Sequence, residues 1–137
     1  ACGAFFGGLI FTFLRSIPRT MKNERVLIAD DMEIALESVS KGIELFGDGH
    51  RVVGKAASVE EVRALIEGGL RPTVALVNRQ FPMKGDGQRA AAIIKELSPE
   101  TKIISCSSDS GLEWGEENWY KGMSLQELVH ALTNLQH

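Results

Sequence analysis

Five polar residues stand where short apolar runs stop. Asp30 and Asp31 follow RVLIA, Asn78 ends VALVN, Ser107 follows KIISC, and Lys121 follows Trp119-Tyr120. Together they offer two carboxylates, an amide, a hydroxyl and an amine. The lysine can pair with either acid. A carboxylate at position 78 would carry the charge and lone pair of an attacking group, whereas the amide of Asn78 is neutral and far less nucleophilic. Three of the five also have a plainer role. Asp30 and Asp31 suit a helix start, where the dipole favours acids. Ser107 suits the Ser-rich turn Ser107-Ser108-Asp109-Ser110-Gly111. The residues make a site only if the runs that carry them end in one place.

Those runs alternate with helical patterns. Arg25 to Ala29 reads as a first strand, and Met32, Leu36, Val39, Ile43 and Phe46 then recur at the spacing of one apolar helix face. Gly47-Asp48-Gly49 stops that helix, and Val52-Val53 marks a second strand. Ser58 and Glu61 form a capping box opening a helix that carries Val59, Val62, Leu65 and Ile66. Val74 to Val77 is a continuous apolar run that fits a central strand buried on both faces. Gln88 to Leu97 gives a helix with Ala90, Ile93, Ile94 and Leu97 inward. Lys102 to Cys106 is the fourth strand and Trp119-Tyr120 a short fifth, while Leu112 to Asn118 fits neither pattern. Ser124 and Glu127 form a second capping box before Leu125, Leu128, Val129, Leu132 and Leu135.

Alternation with short connections predicts an α/β fold: a five-stranded parallel sheet, order 2-1-3-4-5, with helices on both faces. Strands one and three then lie side by side at the topological switch point. The crevice at their carboxyl ends gathers Asp30, Asp31 and Asn78, with Ser107 and Lys121 arriving from strands four and five.

The bulk properties fit such a domain. The 137 residues suffice for one core, with 44% hydrophobic and 24% charged residues. A net charge of -3 and a pI near 5.6 give no sign of a nucleic-acid surface. His50, His130 and His137 have no metal-ligand spacing with each other or with the cysteines. Cys106 is expected as a buried thiol rather than half of a disulfide with Cys2. Residues 1–20 stand apart. Ala1 to Leu14 is apolar, holds three glycines, and is followed by Arg15, Arg19 and Lys22. It is shorter than the roughly 20 residues a spanning helix needs. This extension is expected to be upstream or appended sequence, with Met21 as the natural start, or else the end of a membrane segment. Either way residues 21–137 are expected to form a cytoplasmic domain away from the membrane.

From about Lys22 to Gln136 the chain resembles the receiver domain of bacterial two-component response regulators, a flavodoxin-like (CheY-like) fold. VLIADD, VVGKAAS, the VALVN strand with Pro82 after it, KIISCSS and YKGMSLQEL fall in the family's order. The SVEE and SLQEL openings look most like the subgroup that usually carries a helix-turn-helix output domain. In that family the acidic pair helps bind Mg²⁺, and an Asp ending strand three takes a phosphoryl group from a histidine kinase. A Ser or Thr and a Lys then contact that group. The resemblance implies that Asp30 and Asp31 match the acidic pair, Ser107 the hydroxyl and Lys121 the lysine.

The match fails at the acceptor, because position 78 is Asn. An acyl phosphate cannot form at an intact amide. Losing one of three clustered carboxylates also weakens the hold on Mg²⁺, a hard cation that prefers carboxylate oxygens. The expected cofactor state is therefore none, or weakly bound Mg²⁺ at Asp30 and Asp31. The chain is expected to act as a pseudo-receiver in a phosphorelay, through contacts with a histidine kinase or another regulator, and not as an enzyme. Met83-Lys84-Gly85 makes the following loop one residue longer than is usual in the family. The 14 positions from Ser107 to Lys121 are fewer than a typical receiver has, so the family's fourth helix should be shortened or missing. Trp114 and Trp119 would then cover the exposed sheet. That change falls on the face receivers use for partners and dimers, which leaves a homodimer open.

Two other readings use the same elements. A phosphorylatable receiver would need another acid, Asp86 being the nearest, although its Gly-flanked turn explains it for backbone reasons. A flavodoxin-like cofactor binder would need a Gly- or Ser/Thr-rich phosphate cradle after strand one, where Asp30-Asp31 would repel the phosphate. Direct nucleic-acid contact is not expected, since the sequence reaches His137 straight after the last helix.

Overall fold

The computed structural model describes residues 23–47, 49–107, 117–120 and 124–135. Five strands form one parallel sheet: β1 (Arg25–Ala29), β2 (Arg51–Ala56), β3 (Val74–Asn78), β4 (Lys102–Ser107) and β5 (Glu117–Tyr120). Their spatial order is β2-β1-β3-β4-β5, as the alternation predicted. The helices among the described residues are α1 (Glu33–Phe46), α2 (Val59–Glu67), α3 (Asp86–Leu97) and α4 (Leu125–Thr133). Residues 108–116 and 121–123, which take in Trp114, Lys121 and most of the segment expected to hold a shortened extra helix, lie outside the described residues, as do residues 1–22.

The side-chain period of two explains why both faces of the sheet are buried. Val26, Ile28, Val74, Leu76, Ile104 and Cys106 point one way and join Leu36 and Ile43 of α1 and Leu128 and Leu132 of α4. Leu27, Ala29, Ala75, Val77 and Ile103 point the other way and join Val62 and Ile66 of α2 and Ala90 and Ile94 of α3. That second face carries small residues, and among them sits the fully buried ring of Phe81. Each buried Leu, Ile or Phe contributes about 1.5–3 kcal/mol relative to exposure, so the two layers together dominate the fold. Cys106 is buried, as expected, and Cys2 lies outside the described residues.

Three local expectations are corrected. Met32 and Phe46, at the two ends of the predicted α1 stripe, are 54% and 47% exposed. A 14-residue helix spans about 21 Å and overruns the roughly 17 Å of the five-residue β1. Its ends therefore overhang the sheet. The helix expected from Gln88 starts two residues earlier, at Asp86. The capping box at Ser58 is half formed: Ser58 accepts from the Glu61 amide at 3.1 Å, but the Glu61 carboxylate takes the Ala57 amide instead of Ser58's. The box at Ser124 is complete, with both bonds to Glu127.

At the amino edge of the sheet a buried imidazole ties distant segments together. The Glu24 amide donates to His50 Nδ1 at 3.0 Å, and His50 Nε2 lies 3.1 Å from Thr133 Oγ1. The Thr133 hydroxyl donates its proton to the Val129 carbonyl, so it must accept from His50. The ring is thereby set as the neutral tautomer protonated at Nε2. Replacing His50 with Phe strands the Glu24 amide in a buried place. The variant should lose about 1–3 kcal/mol of stability, read as a lower urea midpoint with an unchanged m-value.

Candidate functional site

Asp30 is the first residue beyond β1, and its amide still donates to the Ala56 carbonyl of β2 at 3.0 Å. The side chain is 5% exposed. Its Oδ1 accepts from the Met32 amide at 3.0 Å and from Asn78 Nδ2 at 3.3 Å. The plain role and the site role expected for this residue therefore coincide. One oxygen satisfies a donor at the start of α1, where Met32 has no capping side chain of its own, and also meets the residue at the end of β3. Asp31 is exposed, and no hydrogen bond or ion pair holds its carboxylate among the described residues. The acidic pair is thus split into one buried member and one solvated member.

Asn78 closes β3 opposite Cys106 of β4. Its Nδ2 donates to the Gln80 carbonyl at 2.6 Å as well as to Asp30. Two acceptors around one atom fix which end of the amide is nitrogen. The bond to Gln80 is short and the one to Asp30 lies at the long end of the range, so the amide's principal task is to hold the chain as it leaves the sheet. Farther on, Phe81 anchors the loop in the core and Gln80 bridges back to Lys84. Gly85 takes a left-handed conformation at φ +89° before α3 begins. Gly87 sits against the Asn78 and Arg79 carbonyls, where a Cβ would collide with backbone.

Asp86, the acid nearest to Asn78 in the loop, is held by the loop and by α3. It is 8% exposed, its Oδ2 accepts from the Met83 amide at 3.0 Å, and its Oδ1 is paired with Arg89. The acid closes the loop and starts α3. Ser107 is the last residue of β4, paired with Tyr120 and one step past the partner of Asn78, so the backbone brings it to the same edge of the sheet. Lys121 lies outside the described residues.

This donor set does not suit a resident divalent cation. Asn78 turns N–H groups, not a lone pair, toward the shared acid, and Asp31 points its charge into solvent. No group of three or more His, Cys, Asp or Glu among the described residues could hold a metal ion. The Gln80 carbonyl, the second partner of Asn78, escapes a reading of side-chain types because it is backbone. Phe81 was the signal available for it: a large apolar residue in an otherwise polar loop.

No protein-family model and no curated protein sequence matches this chain. Among solved structures, the chain is similar to the isolated receiver (REC) domain of RcsB from Salmonella enterica serovar Typhimurium, determined with the phosphomimetic BeF3⁻. The identity is 26% and the TM-score 0.66, covering 81% of this chain and 86% of that one. It is also similar to a LuxR-family two-component response regulator from Aurantimonas sp. SI85-9A1, at 23% identity and TM-score 0.71, covering 81% and 83%. RcsB bound to promoter rprA matches at 24% identity and TM-score 0.68, over 80% of this chain and 96% of that one. The fold is that of response-regulator receiver domains. No helix among the described residues is long and apolar enough to cross a membrane.

Two substitutions test the local geometry. Gly87→Ala should lose about 1–3 kcal/mol despite alanine's better helix propensity, because the new methyl meets backbone; thermal melts would show it. Asn78→Asp sets a carboxylate oxygen against the Gln80 carbonyl and a second negative charge beside Asp30. It should lose about 1–3 kcal/mol without metal. Added Mg²⁺ should raise the melting temperature of this variant and leave that of the parent chain unchanged.

Proposed function

We propose that this chain is a receiver-like signalling module of a bacterial two-component pathway that works without being phosphorylated. The observation that carries this reading is the Asn78 amide, which donates to Gln80 O at 2.6 Å and to Asp30. At the place where the receiver family keeps its phosphoacceptor, a neutral donor holds both the loop and the acid. No charged oxygen is presented there to attack phosphorus. The loop that phosphorylation would rearrange is already tied by Asn78, Phe81 and Asp86.

In this role the chain is a binding module rather than an enzyme, and Mg²⁺ at Asp30 and Asp31 is weak or absent. Its partner is a signalling protein, a histidine kinase or another regulator, met in the cytoplasm. The likeness to RcsB, a protein solved on promoter DNA, supports a place in transcriptional control, with the DNA contact made by another segment or protein. Ser107 and Lys121 serve as remnants of the phosphoryl-binding set.

Intact-mass analysis after incubation with Mg²⁺ and acetyl phosphate tests the reading. The parent chain should keep its mass. A gain of one phosphoryl group that is lost on mild base treatment would overturn it, and peptide mapping would identify the acid used.

A further inference from the structure

We infer that a cavity behind the crevice is a binding site for a small neutral aromatic molecule bearing one hydrogen-bond donor. The cavity lies between α1, α4 and the sheet and measures about 250 Å³. Its floor is Ile28, Leu76 and Cys106, from three adjacent strands, and its walls include Val39 of α1 and Leu125 of α4. The space opens partly to solvent rather than being sealed in the interior. An apolar cavity of about 150 Å³ is already large enough to bind benzene. The space here therefore admits a ring with a substituent, in surroundings that favour an apolar body.

One end of the cavity is polar, and its residues specify the ligand's other end. Asp30 and Asn78 both line it. The Asn78 amide hydrogens are directed to Asp30 and to Gln80, so the polar atom it has left to offer a ligand is its oxygen, an acceptor. That acceptor calls for a donor such as a phenolic hydroxyl, and the Asp30 carboxylate beside it disfavours an anionic head. Asp30 also holds the Met32 amide, so a molecule bound there lies beside the residue that starts α1. A ligand there gives the crevice a chemical input other than phosphate, and the inference holds whether or not position 78 accepts a phosphoryl group.

The test is an amide NMR titration of the full chain with phenol, toluene and benzoate. Phenol should give saturable shifts at Asp30, Val39 and Cys106. Toluene, which lacks the donor, and benzoate, which is anionic, should bind at least about tenfold more weakly. Ala35→Met, which extends a lining side chain into the space, should abolish the phenol shifts. Leu125→Trp makes the same check from the opposite wall if the first variant fails to fold. Unchanged spectra with phenol would overturn the inference. So would toluene or benzoate binding as tightly as phenol, or shifts that persist in a folded cavity-filling variant.

Discussion

The short hydrogen bond from the Asn78 amide to the Gln80 carbonyl is the contact on which the carboxyl edge of the sheet depends. It bends the chain out of β3 and brings Phe81 over the small residues of one face. The turn that follows lets Gly87 press against the end of the strand. An acid in this rotamer would place two oxygens in contact with no proton between them. The loop path and the amide at position 78 are therefore one choice, made together. The same amide touches Asp30, which in turn holds the start of α1. One side chain thus connects the ends of two neighbouring strands and the beginning of a helix.

The rest of the architecture makes that edge rigid. Parallel strands buried on both faces leave little freedom for β1 or β3 to slide, since a one-residue slip would exchange the two layers of side chains. At the opposite edge, the neutral ring of His50 takes the amide of Glu24, just before β1, and reaches Thr133 of α4, 83 positions further along the sequence. The crevice and this junction sit at opposite ends of the same strands. Neither needs a bound ion to complete the hydrogen bonds described for it.

Much of the fold could be read from the sequence because its signals are local. The strand runs, the helix spacing and the Ser124 box all depend on residues close together in the chain, and the strand order follows from connection rules. Asn78 and Asp30 were placed together by that order alone, and the side chains do meet. What the sequence did not disclose depends on distance or on backbone atoms. The Gln80 carbonyl has no residue-type signature. The Ala57 amide competes with Ser58 for Glu61 on details of turn geometry. Met32 and Phe46 matched the apolar period, yet helix length relative to strand length decides whether a stripe finds a sheet beneath it. The cavity needs three strands and two helices at once, so no spacing in the sequence encodes it.

The position of β2 at one margin of the sheet has a bearing on solubility. An outermost strand offers unpaired amides and carbonyls to any extended chain that drifts past, which is how sheets grow into fibrils. Here Arg51 and Lys55 are exposed along that strand and Ala56 alone is fully buried. Two cations spaced along a short margin repel a second copy of themselves. The flank that is weakest as a packing surface is thereby kept from becoming a template.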